Sequence, residues 1–189
     1  MRDVLIIGGG VAGGSAAIYT AYAKLSTLVL DTESSQLLQT QRIRNYPGIR
    51  EITGEELKRT IQEQVISFGA EWKEEKATEI NPIEGGYAVK TEQGGEYRAK
   101  ALILATNLHL DLLEQLGFTI QVNPYVPSGK VKEVVGVSFD GKTSYENLFI
   151  AGLNAGVPSQ SVIAAGQGVK VAVDLISKLT GKKFMWHDK

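Results

Sequence analysis

The chain has 189 residues, with 20 lysines and arginines against 21 aspartates and glutamates and a formal net charge of −1. That balance leaves no basic footprint for nucleic acid or for an anionic membrane surface, and no apolar run approaches the roughly 20 residues that span a bilayer. The chain contains no cysteine, which removes disulfides, thiolate nucleophiles and any dithiol centre of its own. Its two histidines, His109 and His187, lie in no cluster with ligand spacing, so no metal site is expected. The length suits one domain, over 1–181, followed by a polar tail over 182–189 in which His187 is expected to be solvated. The chain enters a strand at once, without a signal-peptide pattern, so a cytoplasmic location is expected.

In chain order, the first element is a run of branched apolar residues, Val4-Leu5-Ile6-Ile7, which meets Gly8-Gly9-Gly10-Val11-Ala12-Gly13. This spacing predicts a strand, a tight turn and a helix that bind a dinucleotide. Gly8 permits the turn, Gly10 admits pyrophosphate to the backbone, and Gly13 lets the helix pack on the strand. Phosphates at a helix N-terminus meet free N–H donors and the positive end of the dipole, so no lysine is needed. A second apolar run, Leu28-Val29-Leu30, ends in Asp31, the position at which an acid accepts from a ribose 2′-hydroxyl and repels a 2′-phosphate.

Residues 32–50 read as a polar loop with a tight turn at Asn45-Tyr46-Pro47-Gly48, and loops of this length usually bind something. Thr53-Gly54-Glu55-Glu56 is a capping box opening a helix with Leu57, Ile61, Val65 and Phe68 on one face, closed by Gly69. From Glu71 the period becomes alternating, with turns at Gly85-Gly86 and Gly94-Gly95. This predicts a three-stranded antiparallel meander over about 71–100 whose last strand runs into the doubly buried stretch 101–106. Residues 108–143 are broken by glycine and proline into pieces that have no assigned structure. A buried strand at 147–152 then leads into a helix over about 160–179, with Val162, Val169, Ala172, Leu175, Ile176 and Leu179 available for its inner face, ending at Gly181.

Four segments resemble, in order, the FAD domain of the flavoprotein pyridine-nucleotide disulfide oxidoreductases, and thioredoxin reductase in particular. They are Gly8 to Gly13 with Ala16-Ala17-Ile18-Tyr19; Gln36-Leu37 with Asn45-Tyr46-Pro47-Gly48; the stretch 101–106; and 147–152 with 160–168. The resemblance implies an α/β, Rossmann-like FAD-binding fold, in which a central parallel sheet with helices carries the meander. It implies FAD as cofactor, with Gly8, Gly10 and Gly13 on the pyrophosphate together with Val11 and Ala12. It puts Asp31 at the adenosine ribose, with Thr32 beside it, and Ala77 near the adenine. Gln36, Leu37 and Asn45 line the cofactor's path, and Gln160 approaches the flavin. Ala105, Thr106, Asn107, Gly152, Leu153 and Ser161 complete the implied cofactor-binding set. A helix N-terminus aimed at a flavin stabilises the negative charge of reduction.

Three departures from the family pattern stand out. Asn107 replaces the glycine of A-T-G, where Asn tolerates left-handed backbone. Leu153 replaces an aspartate that accepts from the flavin's side chain, and Asn154 is the candidate to compensate. The NADPH domain and the C-x-x-C pair, which sit between the A-T-G strand and the last segment in thioredoxin reductase, are missing. The resemblance then implies an FAD-dependent oxidoreductase without dithiol relay, exchanging electrons with an external donor or acceptor protein or with free NAD(P)H. His109 is a candidate acid or base, against the alternative of a solvated loop histidine, and Arg42 and Tyr46 are candidate lining for the same mouth. A FAD-holding or redox-sensing module acting through a partner is the alternative, and an NAD-binding protein a third reading. Exposed apolar surface left by the missing domain suggests a homodimer.

Overall fold

The computed structural model describes residues 1–187; Asp188 and Lys189, the end of the expected tail, lie outside the described residues. β1 (Arg2–Ile7) is the centre of a mixed sheet, pairing in parallel with β2 (Thr27–Asp31) on one side. The β1–β2 connection is α1 (Val11–Tyr22). Val4 and Ile6 face one layer of the core and Leu5 and Ile7 the other, so the continuous apolar run follows from burial on both faces.

The loop after β2 makes a short 3-10 turn, Gln36–Gln39, and leads to α2 (Gly54–Ser67). The Thr53 hydroxyl caps α2 by accepting from the Glu56 N–H at 3.1 Å. Leu57, Ile61 and Val65 form its buried face. The next strand, β3 (Glu71–Glu74), corrects the expected meander: it pairs in parallel with β2, Leu28 to Glu71 through Asp31 to Glu74, and is the edge of the main sheet. Its sequence EWKE is short, polar and half-exposed, so no apolar signal marks it as part of the parallel layer.

The meander consists of β4 (Ala77–Ile83), β5 (Gly86–Thr91) and β6 (Glu96–Leu104). β6 serves two structures in succession. Its first half pairs antiparallel with β5, Tyr87 to Ala99, and its second half lies between β1 and β9 (Leu148–Ile150), both parallel to it. The sheet order is β3-β2-β1-β6-β5-β4, with β9 beside β6.

The segment without assigned structure holds α3 (Asp111–Gln115) and a two-stranded ribbon of β7 (Ile120–Val122) and β8 (Lys132–Val134). The last helix, α4 (Ser161–Thr180), ends at Gly181 in left-handed backbone. It crosses α1 closely, because a Cβ at Gly168 would overlap the Ala12 carbonyl oxygen. That crossing sets its inner face. Ala165, Val171, Ala172, Leu175 and Ile176 are buried, whereas Val162 is exposed and Val169 and Leu179 are only half-buried, contrary to expectation. The tail is also less solvated than its lysines suggest. Trp186 stacks on Tyr22 at 3.7 Å between ring centroids, and Phe184 meets Tyr19 and Tyr22 edge-on. His187 is exposed.

Candidate functional site

A cavity of about 990 Å³ opens at the carboxyl ends of β1, β2, β6 and β9, the usual place for ligands in open α/β sheets. Its volume is at the upper end of ordinary ligand pockets, about 300–1,000 Å³. Every residue of the implied cofactor-binding set lines it: the glycine turn with Val11 and Ala12, Asp31 and Thr32, Gln36, Leu37 and Asn45, Ala77, Ala105 to Asn107, Gly152 and Leu153, and Gln160 and Ser161. Segments up to about 150 residues apart in sequence therefore meet around one space.

The glycine turn is dictated by lack of room. Gly8 has φ +103°, and a Cβ there would overlap the Ala105 carbonyl; at Gly13 it would overlap the Gly8 carbonyl. Gly10 differs. It caps α1 with φ −70°, and a Cβ there would meet only the Ser35 hydroxyl, at 3.4 Å. Its side faces the cavity, so the missing side chain leaves space for a ligand. No side chain caps α1, and the first-turn N–H groups stand at the cavity wall. Thr106 and Asn107 also line the cavity, but their side-chain oxygens are occluded from it; Oγ1 and Oδ1 have no hydrogen-bond partner among the described residues, as is also true of Trp72 Nε1, Asn147 Oδ1 and Asn154 Oδ1 on residues that do not line it. The open glycine and the uncapped helix start fit a phosphate-bearing ligand.

Asp31 is buried, with relative exposure of 4%. Its Oδ1 accepts from the Gly9 N–H at 2.8 Å, and its Oδ2 lies 2.8 Å from Lys58 Nζ. Lys58 comes from α2 and has a side-chain exposure of 3%; it also donates to Glu33 at 2.6 Å. Burial pushes the Asp31 carboxyl up, but the Lys58 ammonium and the Gly9 N–H outweigh it and hold it below the usual carboxylate range. Burial likewise pushes Lys58 down, and the two carboxylates raise it instead. Both groups are charged at neutral pH.

The far wall is closed by side chains bonded to one another. Asn45 Nδ2 donates to Gln160 Oε1 at 2.7 Å, and Asn107 Nδ2 to Gln36 Oε1 at 3.1 Å. Asn107 takes left-handed backbone, φ +55°, as an asparagine in a glycine's place can. His109 lines the cavity, is exposed, and lies 3.1 Å from the Ser34 hydroxyl through Nε2. Arg42 also lines it and pairs with Glu51 at 3.3 Å. Tyr46 is not among the lining residues and packs half-buried against the core.

Asn154 does not compensate for Leu153. It is fully buried behind the wall, donating to the carbonyls of Asn107 at 2.8 Å and Lys132 at 3.0 Å. Of Leu153 and Asn154 in that 3-10 turn, only Leu153 lines the cavity. Sequence reasoning also missed Ser34, Ser35, Lys76 and Thr78 in the lining and Lys58 behind it. Ser35 had a signal, since its hydroxyl accepts from the Leu37 N–H as a helix cap.

The family model described as pyridine nucleotide-disulphide oxidoreductase matches residues 2–113. The chain belongs to that family. The chain is 41% identical over 106 residues to the thioredoxin reductase of Bacillus subtilis (strain 168), a match covering 54% of this chain and 33% of the relative. The chain spans about a third of the length of the curated relatives it matches. Among solved structures, a thioredoxin reductase from Gloeobacter violaceus superposes with a TM-score of 0.79 at 20% identity, covering 100% of this chain and 98% of that one. A ferredoxin-flavin thioredoxin reductase from Clostridium acetobutylicum gives 0.72 at 21% identity, covering 96% and 99%. These likenesses agree with the Rossmann-like architecture built above. Among the described residues no helix is long and apolar enough to cross a membrane, and no group of histidines and acids could hold a metal.

Proposed function

We propose that the cavity binds FAD and that the chain is the flavin-carrying part of an oxidoreductase that exchanges electrons with a molecule outside it. The observation that carries this reading is the convergence of the uncapped α1 start, the open side of Gly10 and the buried Asp31 carboxylate on one cavity. When bound, FAD would supply the electron-transfer chemistry, which no side chain of this protein can provide.

The protein's own groups would hold and tune it. The N–H groups of Val11, Ala12 and Gly13 would receive the diphosphate, and Asp31 the adenosine ribose. The meander wall, at Ala77 and Thr78, would flank the adenine. At the other end, α4 begins at Gln160 without a side-chain cap, so its positive dipole end lies at the wall and would favour an anionic flavin. With no cysteine in the chain, electrons leave by way of an external acceptor rather than an internal dithiol. The likeness to an enzyme named ferredoxin-flavin thioredoxin reductase supports an electron-transfer protein as one class of donor.

One observation favours the second reading, a non-catalytic FAD module: Leu153 puts an apolar side chain on the wall where an acceptor would anchor the cofactor. Isolation without added cofactor, followed by identification of the released nucleotide, tests both; FAD is expected. Anaerobic bleaching of the bound flavin by NADPH, NADH or reduced ferredoxin then separates an enzyme from a module. Bleaching within seconds by any one of them supports the enzyme, and persistence of the oxidised spectrum with all three supports the module.

A further inference from the structure

Lys58 is a cation buried in the wrong place for a surface helix. It sits on the first turns of α2, in a helix whose other polar residues are largely exposed, yet its side chain is only 3% exposed. Its Nζ joins two carboxylates, Asp31 Oδ2 at 2.8 Å and Glu33 Oε2 at 2.6 Å, and lies 5.3 Å from the centroid of the Trp72 ring. On the other side of Asp31, Oδ1 accepts from the N–H of Gly9, the middle of the phosphate-binding turn. Gly9 has no room for a side chain, because a Cβ there would overlap Trp72. The helix is braced again one turn further on, where Ile61 fills the space a Cβ at Gly14 would need.

A buried ion pair is rarely the most stable filling for such a space; a packed apolar pair is often as good or better. The carboxylate here has work to do beyond the pair. Three of its acceptor positions are taken, by the Gly9 N–H, by Lys58 and by the Glu33 N–H at 3.3 Å, and a carboxylate has about four. Asp31 lines the cavity, so its remaining capacity is available to a ligand there. Without the cation behind it, burial would push the carboxyl up, toward the protonated form that is no longer an ionised acceptor.

We propose that Lys58 is the positioning residue of the nucleotide site, holding Asp31 ionised and aimed so that it accepts from the 2′-hydroxyl of the adenosine ribose. This rests on the dinucleotide reading of the cavity. Lys58 acts through Asp31 and touches no ligand itself. Its effect is therefore specific to one ligand atom.

The test uses ADP and 2′-deoxy-ADP as probes on the full chain freed of nucleotide, with affinities from calorimetry. The wild-type protein is expected to bind ADP about tenfold or more tightly than 2′-deoxy-ADP, as a hydrogen bond to a buried charge requires. In Lys58→Met the preference falls to within about twofold. Removal of the cation leaves a buried carboxylate unpaired, which can unfold the protein. Lys58→Gln, which keeps a hydrogen bond to Asp31 without the charge, is the second variant, and its preference falls below about threefold. General destabilisation lowers both affinities together and leaves the ratio alone. A folded Met or Gln variant with the wild-type ratio overturns the assignment, as does a wild-type protein indifferent to the 2′-hydroxyl. A wild-type protein that binds ADP with this preference but rejects FAD overturns the flavin reading and leaves the Lys58 assignment standing.

Discussion

At the amino-terminal end of the cavity the wall is backbone: Gly8, Gly10 and Gly13 bring main chain to the surface, and Gly9 hangs its N–H on a buried carboxylate. At the far end it is side chain, with Asn45 bonded to Gln160 and Gln36 to Asn107 across the space. The first end is rigid before any ligand arrives, and a ligand gains from it without disturbing it. The second end has spent its polar groups on one another, and a ligand there must replace bonds already made. Affinity is therefore expected to come mainly from the diphosphate and adenosine, while the flavin end tolerates change.

The largest effect separates fold from ligand within the glycine turn. Gly13→Ala forces a methyl into the Gly8 carbonyl and is expected to cost about 3 kcal/mol, or roughly 6–12 °C in thermal midpoint for a chain of this size, with nucleotide binding lost as the turn opens. Gly10→Ala has room in the fold and an allowed φ, so its midpoint should stay within about 2 °C while FAD affinity drops about tenfold or more. Equal behaviour of the two variants in both measurements would erase the distinction between packing glycine and ligand glycine.

A smaller effect of opposite sign is expected at the far end. Leu153→Asp returns an acceptor to the wall, and FAD affinity by fluorescence titration should rise about fivefold, within the net range of an ordinary hydrogen bond. Asn45→Ala and His109→Ala should each change it by less than about threefold, since both are exposed and already partnered, Asn45 by Gln160 and His109 by Ser34.

Acid offers a further way to sharpen the contrast. Asp31's carboxyl is depressed in the folded state, so its contribution to stability is present above the ordinary carboxylate value of 3.8 and is lost as pH falls through the lower folded value. Lys58 is raised, so its share persists below 10.5 and is lost as pH rises through its higher folded value. The urea midpoint of the wild type relative to Asp31→Asn/Lys58→Met, whichever of the two is the more stable, should therefore be flat from about pH 5 to 10 and fall on the acid side as Asp31 protonates. A relative midpoint that rises on acidification would contradict the pairing.

Which parts were legible in the sequence follows the same division. The glycine turn, β1, the Thr53 cap and the end of α4 at Gly181 could be read because each depends on a local requirement: absent side chains, a hydroxyl at a helix start, left-handed backbone. The cavity lining could be read from four motifs because the sheet delivers their strand ends to one edge. β3 could not, since a polar EWKE gives no period to follow and its place depends on pairing with a strand some 40 residues earlier. Asn154 was misplaced because it directly follows two residues of the 3-10 turn that do line the cavity, and nothing local says where the lining stops. Lys58 was invisible for a stronger reason: between Leu57 and Arg59 it reads as solvent face, and only the fold brings it to Asp31, 27 residues away.

The most direct measurement is a crystal structure of the protein grown with FAD. The account predicts diphosphate against the N–H groups of Val11 to Gly13 and the flavin ring toward the α4 N-terminus at Gln160. A cavity holding NAD instead, or a flavin with its diphosphate away from the glycine turn, would contradict it.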